Sequence, residues 1–221
     1  LHYISSDHPE HVKSDKIIYK HSEAFGTVVV KPILEELLEK KTDYFGWFND
    51  DIWLSEGWLE DVMLKLNQGY LFVCPGVVDT DIREHFAKVV EQTKNDDGVD
   101  EYLPLAAVVM NNKIFRKIGL LDTQFTGVGD DMDIYWRLLI NKIPHCSSRR
   151  ITVAHWVGTS SYRGERITNS DLKLHAIKFK EMKQLFCDKH GYDAYHHTSE
   201  RMKDTYLTYF KQFRNLKNEK T

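Results

Sequence analysis

Two adjacent carboxylates stand at the end of an apolar stretch. Asp50 and Asp51 follow "DYFGWF" (43–48), whose aromatic residues predict a buried strand. Ligands of α/β proteins bind beyond the carboxyl ends of sheet strands, so a site is expected here. Two adjacent negative charges repel each other unless a cation lies between them, and carboxylate oxygens suit Mg²⁺ or Mn²⁺. The alternative explanation is a pair of solvated acids in a turn or at a helix N-cap.

A second acidic cluster follows a glycine-rich turn in "FTGVGDDMDIYWRLL". Gly127 and Gly129 precede Asp130, Asp131 and Asp133, which open a predicted apolar helix. The helix dipole favours acids in the first turn of a helix, so one or two of these aspartates have a purely structural explanation. A carboxylate presented behind two glycines is also placed to act as a general base toward a hydroxyl. Both explanations stay open at this point.

A histidine and two arginines complete the candidates. His155 ends the apolar run "ITVA", where a satisfied core histidine and a metal ligand are both reasonable explanations. Arg163 and Arg166 lie in the polar loop "GTSSYRGERIT", either as ordinary loop charges or as phosphate-binding groups.

The apolar patterns predict alternating strands and helices. Alternation of this kind predicts an α/β domain with a largely parallel or mixed sheet. The predicted strands cover 1–5, 16–20, 43–48, 70–78, 103–112 and 151–158, and the predicted helices cover 31–41, 55–69 and 113–119. Pro32 is expected in the first turn of the first of these helices, where proline is tolerated.

The last quarter of the chain has a different texture. Ser170 is expected to cap one amphipathic helix, which Gly191 ends, and Ser199 is expected to cap a second. We therefore divide the chain into a domain at 1–165 and a helical extension at 166–221. The extension is expected to pack on the domain, with another subunit or a membrane surface as the alternative partner.

Composition limits the class of protein. The net charge of −3 and the isoelectric point near 6.4 provide no basic surface for nucleic acid. Three scattered cysteines suggest free thiols in a reducing compartment. No apolar run approaches the ~20 residues that span a bilayer. We expect a cytoplasmic protein, with peripheral membrane attachment left open.

The order of these motifs resembles the family 2 glycosyltransferases of the GT-A fold, particularly their rhamnosyltransferase-like members. Those proteins have a strand, an Asn/Asp-x-Asp motif and a "pgWLe" helix, where this chain has "FNDDIWLSEGWLED". They continue with segments that match "VVMNNKIFRKIGLLDTQF", "GDDMDIYWRL" and "ITVAHWVG". The resemblance covers about residues 16–162. It implies a GT-A fold, which is Rossmann-like with a mixed, mostly parallel sheet flanked by helices, here followed by the two C-terminal helices.

The resemblance also assigns roles to individual residues. Asp51 matches the metal-binding aspartate of the Asp-x-Asp motif, and His155 matches a histidine that completes the metal site in some members. Asp131 matches the catalytic base. Asp130 stands where the family more often has Glu, so the acid is kept on a shorter side chain.

The donor-binding roles fall on other residues. Asn49 and Asp50 would lie near the ribose and diphosphate, and Asp7 matches an acid that contacts the nucleotide base. The loop with Arg163 and Arg166 matches one that closes over the donor phosphates. Family members begin with a further strand and helix that have no counterpart in residues 1–165.

The implied activity is metal-dependent and inverting transfer of a sugar to a hydroxyl. The donor would be a UDP-, dTDP- or GDP-sugar, the acceptor a glycan or glycoconjugate, and the cofactor Mn²⁺ or Mg²⁺. The acceptor is expected near "CPGVVDTDIREH" and the turn at 127–131. The alternatives are another metal-dependent nucleotide enzyme, such as a nucleotidyltransferase or phosphoesterase, and a non-catalytic glycan- or nucleotide-binding module.

Overall fold

A computed structural model describes residues 2–6, 17–21, 27–40, 42–49, 51–101, 103–125, 129–155 and 169–201. The strands are β1 (His2–Ser6), β2 (Ile17–His21), β3 (Tyr44–Phe48), β4 (Ile52–Leu54), β5 (Phe72–Asp79), β6 (Val99–Asp100), β7 (Ala107–Asn111) and β8 (His145–His155). The helices are α1 (Thr27–Glu39), α2 (Trp58–Asn67), α3 (Arg83–Thr93), α4 (Phe115–Ile118), α5 (Asp130–Ile140), α6 (Asn169–His190) and a further stretch at 192–201, here α7. The predicted α/β class is therefore confirmed.

The main sheet has six strands, with the order β3-β7-β5-β8-β4 and with β6 also paired to β8. Strands β1 and β2 form a separate parallel pair. Within the main sheet, β5 and β8 are parallel, whereas the other described pairings are antiparallel.

The prediction of a mostly parallel sheet is thus wrong, because the sheet is mixed and mostly antiparallel. A parallel neighbour requires a long crossover, and helices between predicted strands suggested several such crossovers. Hydrophobic periodicity reports which residues are buried but contains no information on strand direction.

The link from β3 to β4 requires the sheet to curl. These strands are at opposite ends of the sheet order, yet three residues join them. The Asn49 amide donates to the carbonyl of Ala106 beside β7, and Ile52 is paired with His155 on β8. The four residue steps from Phe48 to Ile52 cover at most about 14 Å, whereas four strand spacings in a flat sheet cover about 19 Å. The two outer strands must therefore approach each other at this end.

A small apolar cluster fills the inside of the curl. Ile52 of β4 packs against a cluster made of Val77 from β5, Val153 from β8, Ala107 from β7 and the preceding Ala106. The two alanines leave room for the incoming Ile52 side chain. Ile52, the residue directly after Asp51, therefore rests on an apolar support at the strand ends.

Helices cover both faces of the sheet. On one face, α1 and α5 contribute Leu34 and Leu138 to a cluster with Phe72 of β5. On the other face, α2 contributes Val62 to a cluster with Val73 of β5. Consecutive strand residues point to opposite faces, so Phe72 and Val73 separate the two layers.

A buried ionic network joins α5 to the C-terminal helices. Asp133, 1% exposed, accepts hydrogen bonds from Arg137 Nε and Nη2 at 2.9 and 2.6 Å. Its other oxygen is 2.7 Å from both Lys189 Nζ and His190 Nε2 on α6. Arg137 Nη1 also donates to the carbonyls of Ile118 and Leu120. The network fixes α5 to α6 and to the chain after α4.

Several predicted boundaries differ from the structure. Helix α1 begins at Thr27, so Pro32 is in its interior rather than its first turn. Helix α6 begins at Asn169 and includes Ser170, and residues 192–201 are already helical, so Ser199 is not an N-cap. Gly191, at φ +91°, separates the two helices, as its type predicts.

Glycine 76 should tolerate no side chain, because β5 and β8 change register there. A Cβ at residue 76 would lie 2.2 Å from the Arg150 carbonyl oxygen. We expect Gly76→Ala to cost more than the ~1–3 kcal/mol of ordinary overpacking, since backbone must move. Gly46→Ala is the matched control, because its Cβ would meet only the rotatable Phe48 ring. Urea unfolding measures both, and equal losses would contradict the prediction.

The Asp133 network should contribute far more stability than an exposed pair of the same geometry. We expect Asp133→Asn to cost ~3–5 kcal/mol, because Arg137 and Lys189 would lose their shared buried anion. Asp100, which accepts from Nε and Nη2 of the exposed Arg149, is the matched control, and Asp100→Asn should cost under ~1 kcal/mol. Denaturant unfolding at neutral pH tests this, and similar costs would show that the network is not a structural anchor.

Candidate functional site

Four strands bring their ends to one edge of the sheet. Strands β5 and β8 are parallel and finish at Asp79 and His155, which are register partners. Strand β4 is antiparallel to β8 and begins opposite His155, so Asp51 lies at the same edge. Strands β3 and β5 are both antiparallel to β7, which lies between them, so they run in the same direction. Strand β3 therefore also finishes at this edge, just before Asn49. Asp51 was predicted at such an edge and lies there, and His155, which was predicted to end an apolar run, ends β8 at the same edge.

Asp51, His155 and Asp79 form a chain of polar contacts. His155 Nδ1 is 3.1 Å from Asp79 Oδ1, which is hydrogen-bonding distance. On the other side of the ring, His155 Nε2 is 3.4 Å from Asp51 Oδ1. The Asp51 side chain is 5% exposed, and its Oδ1 has no hydrogen-bond partner among the described residues. The imidazole thus lies between a hydrogen-bonded carboxylate and a buried, poorly satisfied one.

The two carboxylates favour a charged imidazole. The hydrogen bond to Asp79 raises the pKa of His155, and the negative charges of Asp51 and Asp79 raise it further. Burial opposes both effects without cancelling them. A positive charge is therefore stabilised between Asp51 and Asp79.

The Asp51 and His155 donors fit a cation that is only partly ligated by protein. A buried carboxylate oxygen without a partner and an imidazole nitrogen converge on one place. Among the described residues, no group of three His, Cys, Asp or Glu side chains is arranged to hold a metal ion. Mg²⁺ and similar ions commonly use one or two carboxylates and complete their shell with water and substrate phosphates. Two protein donors match that kind of site.

Asp79 is held by the turn that follows β5. The Thr80 amide donates to the His155 carbonyl at 3.0 Å, continuing the strand pairing past Asp79. Thr80 Oγ1 accepts from the Ile82 amide and is 2.9 Å from His85 Nδ1. Sequence reasoning did not single out Asp79. The available signal was that Asp79, like Asp51, is an acid at the end of an apolar strand.

The second candidate pair opens α5. Gly129, at φ +82°, precedes the helix, and a Cβ there would collide with Met182 of α6 at 2.2 Å. Asp130 Oδ1 accepts from the Asp131 amide at 3.1 Å, and Asp131 Oδ1 accepts from the Met132 amide at 2.7 Å. The acids therefore satisfy amides at the helix start, as the structural alternative expects.

The electrostatics of this pair disfavour ionisation. Burial raises the pKa of Asp130 to about 6, with a further contribution from the charge of Asp131. Burial also raises the pKa of Asp131. Acids that serve only as helix caps would be stabilised as anions, whereas these carboxylates hold protons more tightly than usual. Perturbation of this kind is typical of functional carboxylates.

The candidate residues fall into separate groups. Asp51 and His155 are brought together, and the Asn49 amide donates to the carbonyl of Ala106, just before β7, at the same edge. No described hydrogen bond or ion pair connects Asp130 or Asp131 with Asp51 or His155. The third acid of the second cluster, Asp133, is a structural anchor. The predicted donor-binding residues Asp7, Asp50, Arg163 and Arg166 lie outside the described residues.

Comparison with known proteins gives limited information. No protein-family model matches the chain, and no curated protein matches it by sequence. One similar solved structure is the crystal structure of A197 from STIV, with 17% sequence identity and a TM-score of 0.44. The match covers 64% of this chain and 72% of that chain. Similarity at this level assigns neither a fold family nor an activity.

The described helices are too short or too polar for a membrane span, since none is both long enough and apolar enough to cross a bilayer.

Asp130 should make stability depend on pH in a defined direction. The pKa of Asp130 is about 6 in the folded state, and its ordinary value is 3.8. Between these two pH values, the folded state therefore binds more protons than the unfolded state does. The free energy of unfolding should therefore fall as pH rises through this window, by up to about 1.4 kcal/mol per pH unit. Asp130→Asn removes this contribution, and the variant should become more stable than the wild type as pH rises to neutrality.

Asp122→Asn is the control of opposite sign. Burial tends to raise the pKa of Asp122, but hydrogen bonds from Lys189 and Gln124 outweigh it and lower the pKa. That variant should lose stability relative to the wild type as pH rises through the ordinary aspartate range. Urea unfolding as a function of pH measures both differences. A difference for Asp130→Asn that is independent of pH would show that its carboxyl titrates normally.

Proposed function

We propose that this chain transfers a sugar from a nucleotide-diphosphate sugar to a hydroxyl of a glycan or other acceptor, with inversion at the anomeric carbon. The observation that carries the proposal is the buried Asp51 oxygen that has no hydrogen-bond partner among the described residues and faces His155 Nε2. The ordered motifs that resemble family 2 glycosyltransferases support the same conclusion.

The proposal assigns the sheet edge to the donor diphosphate. Asp51 Oδ1 and His155 Nε2 would hold Mn²⁺ or Mg²⁺, which would neutralise the charge that develops on the departing diphosphate. Asn49 and Asp50 would contact the ribose and diphosphate, Asp7 the base, and Arg163 with Arg166 the phosphates. This fine assignment of the donor residues rests on the resemblance.

The proposal assigns proton transfer to the second pair of acids. The acceptor oxygen forms a bond to the anomeric carbon as the bond from that carbon to the diphosphate oxygen breaks. Asp131 takes the acceptor's hydroxyl proton, and the nucleoside diphosphate leaves with the bonding electrons. The raised pKa of Asp131 makes its carboxylate a stronger base than an ordinary aspartate. Asp130 would tune that basicity through the electrostatic repulsion between the two neighbouring carboxylates.

The finer structural assignments belong to the same proposal. The α/β domain would be a GT-A domain in which the mixed sheet presents the donor site at its strand ends. The helical extension would support the turn that holds Asp131, since Met182 and Lys189 of α6 contact Gly129 and Asp133. A cytoplasmic location, with peripheral membrane attachment, would place such an enzyme beside a glycoconjugate acceptor.

Calorimetry is the first test of the donor site. UDP, dTDP and GDP would be titrated with Mn²⁺ present and again after chelation. Binding of one nucleotide that disappears with EDTA is expected and would identify the donor class. Metal-independent binding, or no binding of any nucleotide, would contradict the assigned donor site. In activity assays, pyrophosphate release would instead identify a nucleotidyltransferase, and ester hydrolysis a phosphoesterase.

Two variants should separate proton transfer from donor binding. We expect Asp131→Asn to lower turnover by ~10²–10⁴-fold, the typical contribution of a general base, with nucleotide binding largely intact. Asp51→Ala should weaken metal-dependent nucleotide binding and turnover together, because it removes the cation's carboxylate. Asp100→Ala, which changes an acid on β6 paired with Arg149, should change neither. Near-normal turnover of Asp131→Asn would remove this residue from the mechanism.

A further inference from the structure

Asp79 lies beside His155 but has no role in the proposed sugar transfer. It is partly buried, with 22% of its side chain exposed, and it lies opposite His155 at the ends of two parallel strands. Its Oδ1 is 3.1 Å from His155 Nδ1. Because that contact uses one nitrogen of the ring, the other nitrogen must face away from Asp79 and toward Asp51.

We propose that Asp79 is a positioning residue that fixes the tautomer and orientation of His155, so that Nε2 and Asp51 Oδ1 together present two donors to one cation. This inference rests on the proposed function for the cation's purpose but not for the geometry. In a neutral imidazole, the hydrogen bond to Asp79 places the proton on Nδ1 and leaves the Nε2 lone pair free to coordinate. A carboxylate that accepts from a metal-ligating histidine has this effect in many metal sites.

Three features of the fold suit Asp79 to this task. The hydrogen bond from the Thr80 amide to the His155 carbonyl ties the two strand ends together directly after the pair. The Asp51 side chain, 5% exposed, is more deeply buried than that of Asp79, which suits a direct ligand and a supporting carboxylate respectively. The contacts lie in register, so β5 and β8 hold both ends of the Asp79–His155 contact.

The arrangement implies that the cation and a diphosphate bind cooperatively. The two protein donors would take two of the six positions of the octahedral shell that Mg²⁺ and Mn²⁺ prefer. A diphosphate can supply two more, and water can supply the last two. Cation affinity should therefore be weak for the protein alone and stronger with a diphosphate, and the coupling must be reciprocal.

The tautomer test requires no metal and no sugar donor. Nitrogen-15 NMR of the metal-free wild type, recorded at alkaline pH and assigned with His155→Gln, should show the His155 proton on Nδ1. Asp79→Ala should move the population toward the Nε2–H form. Asp79→Asn should retain the Nδ1–H form, since its amide oxygen still accepts. A wild-type ring protonated on Nε2 would overturn the inference, and this outcome does not depend on whether the Asp79 variants fold.

The cation test uses Mn²⁺ alone and Mn²⁺ with inorganic pyrophosphate. We expect electron paramagnetic resonance to show nitrogen coupling to bound Mn²⁺ in the wild type and its loss in Asp79→Ala, with affinity about 10- to 100-fold weaker. Asp100→Ala should behave as the wild type does. Unchanged affinity and coupling in Asp79→Ala would overturn the positioning role. Cation binding that depends on Asp79 in a protein without sugar transfer would reject the proposed function and leave this inference standing.

Discussion

The structure depends on the length of the link between β3 and β4. Three residues join strands from opposite ends of the sheet order, so the sheet must curl until its outer strands approach each other. Ile52 then packs against an apolar cluster in which the small side chains of Ala106 and Ala107 leave room for it. The same geometry buries Asp51 beside the strand ends without a hydrogen-bond partner among the described residues. An unsatisfied buried polar atom costs about 1–3 kcal/mol, so a ligand for Asp51 would recover stability as well as provide chemistry.

The aspartates at the start of α5 have two different roles. Asp133 faces Arg137, Lys189 and His190, and its charge is fully compensated inside the protein. Asp130 and Asp131 receive only amides of the helix start, and burial raises the pKa of both. One acid therefore stabilises the junction with α6, whereas the other two weaken the fold at neutral pH. That local conflict is typical of functional positions, where other interactions compensate the cost.

The sequence contained enough information for the elements but not for their directions. The aromatic strand at 43–48 and the acids after it predicted where Asp51 lies, because strand ends can be read from apolar runs. The prediction that this strand is buried is wrong except for Phe45, since β3 ends the sheet order and Tyr44 and Phe48 are exposed. Strand order and direction arise from pairings between distant residues, such as β5 with β8, which local patterns do not contain. Asp79 was missed for the same reason: its role depends on facing His155 across 76 residues. The sequence shows that Asp79 is an acid at the end of an apolar strand, but it does not show that Asp79 contacts His155.

The number of protein donors has a consequence for turnover under the proposed function. A complete set of protein ligands would keep the cation bound through every cycle, as structural metal sites do. Asp51 and His155 would supply only two donors, so the diphosphate would contribute to the affinity of its own counterion. Because such coupling is reciprocal, loss of the cation would weaken the hold on the product and assist its release. An orienting carboxylate at Asp79 suits this design, since it strengthens the imidazole donor without adding a third ligand.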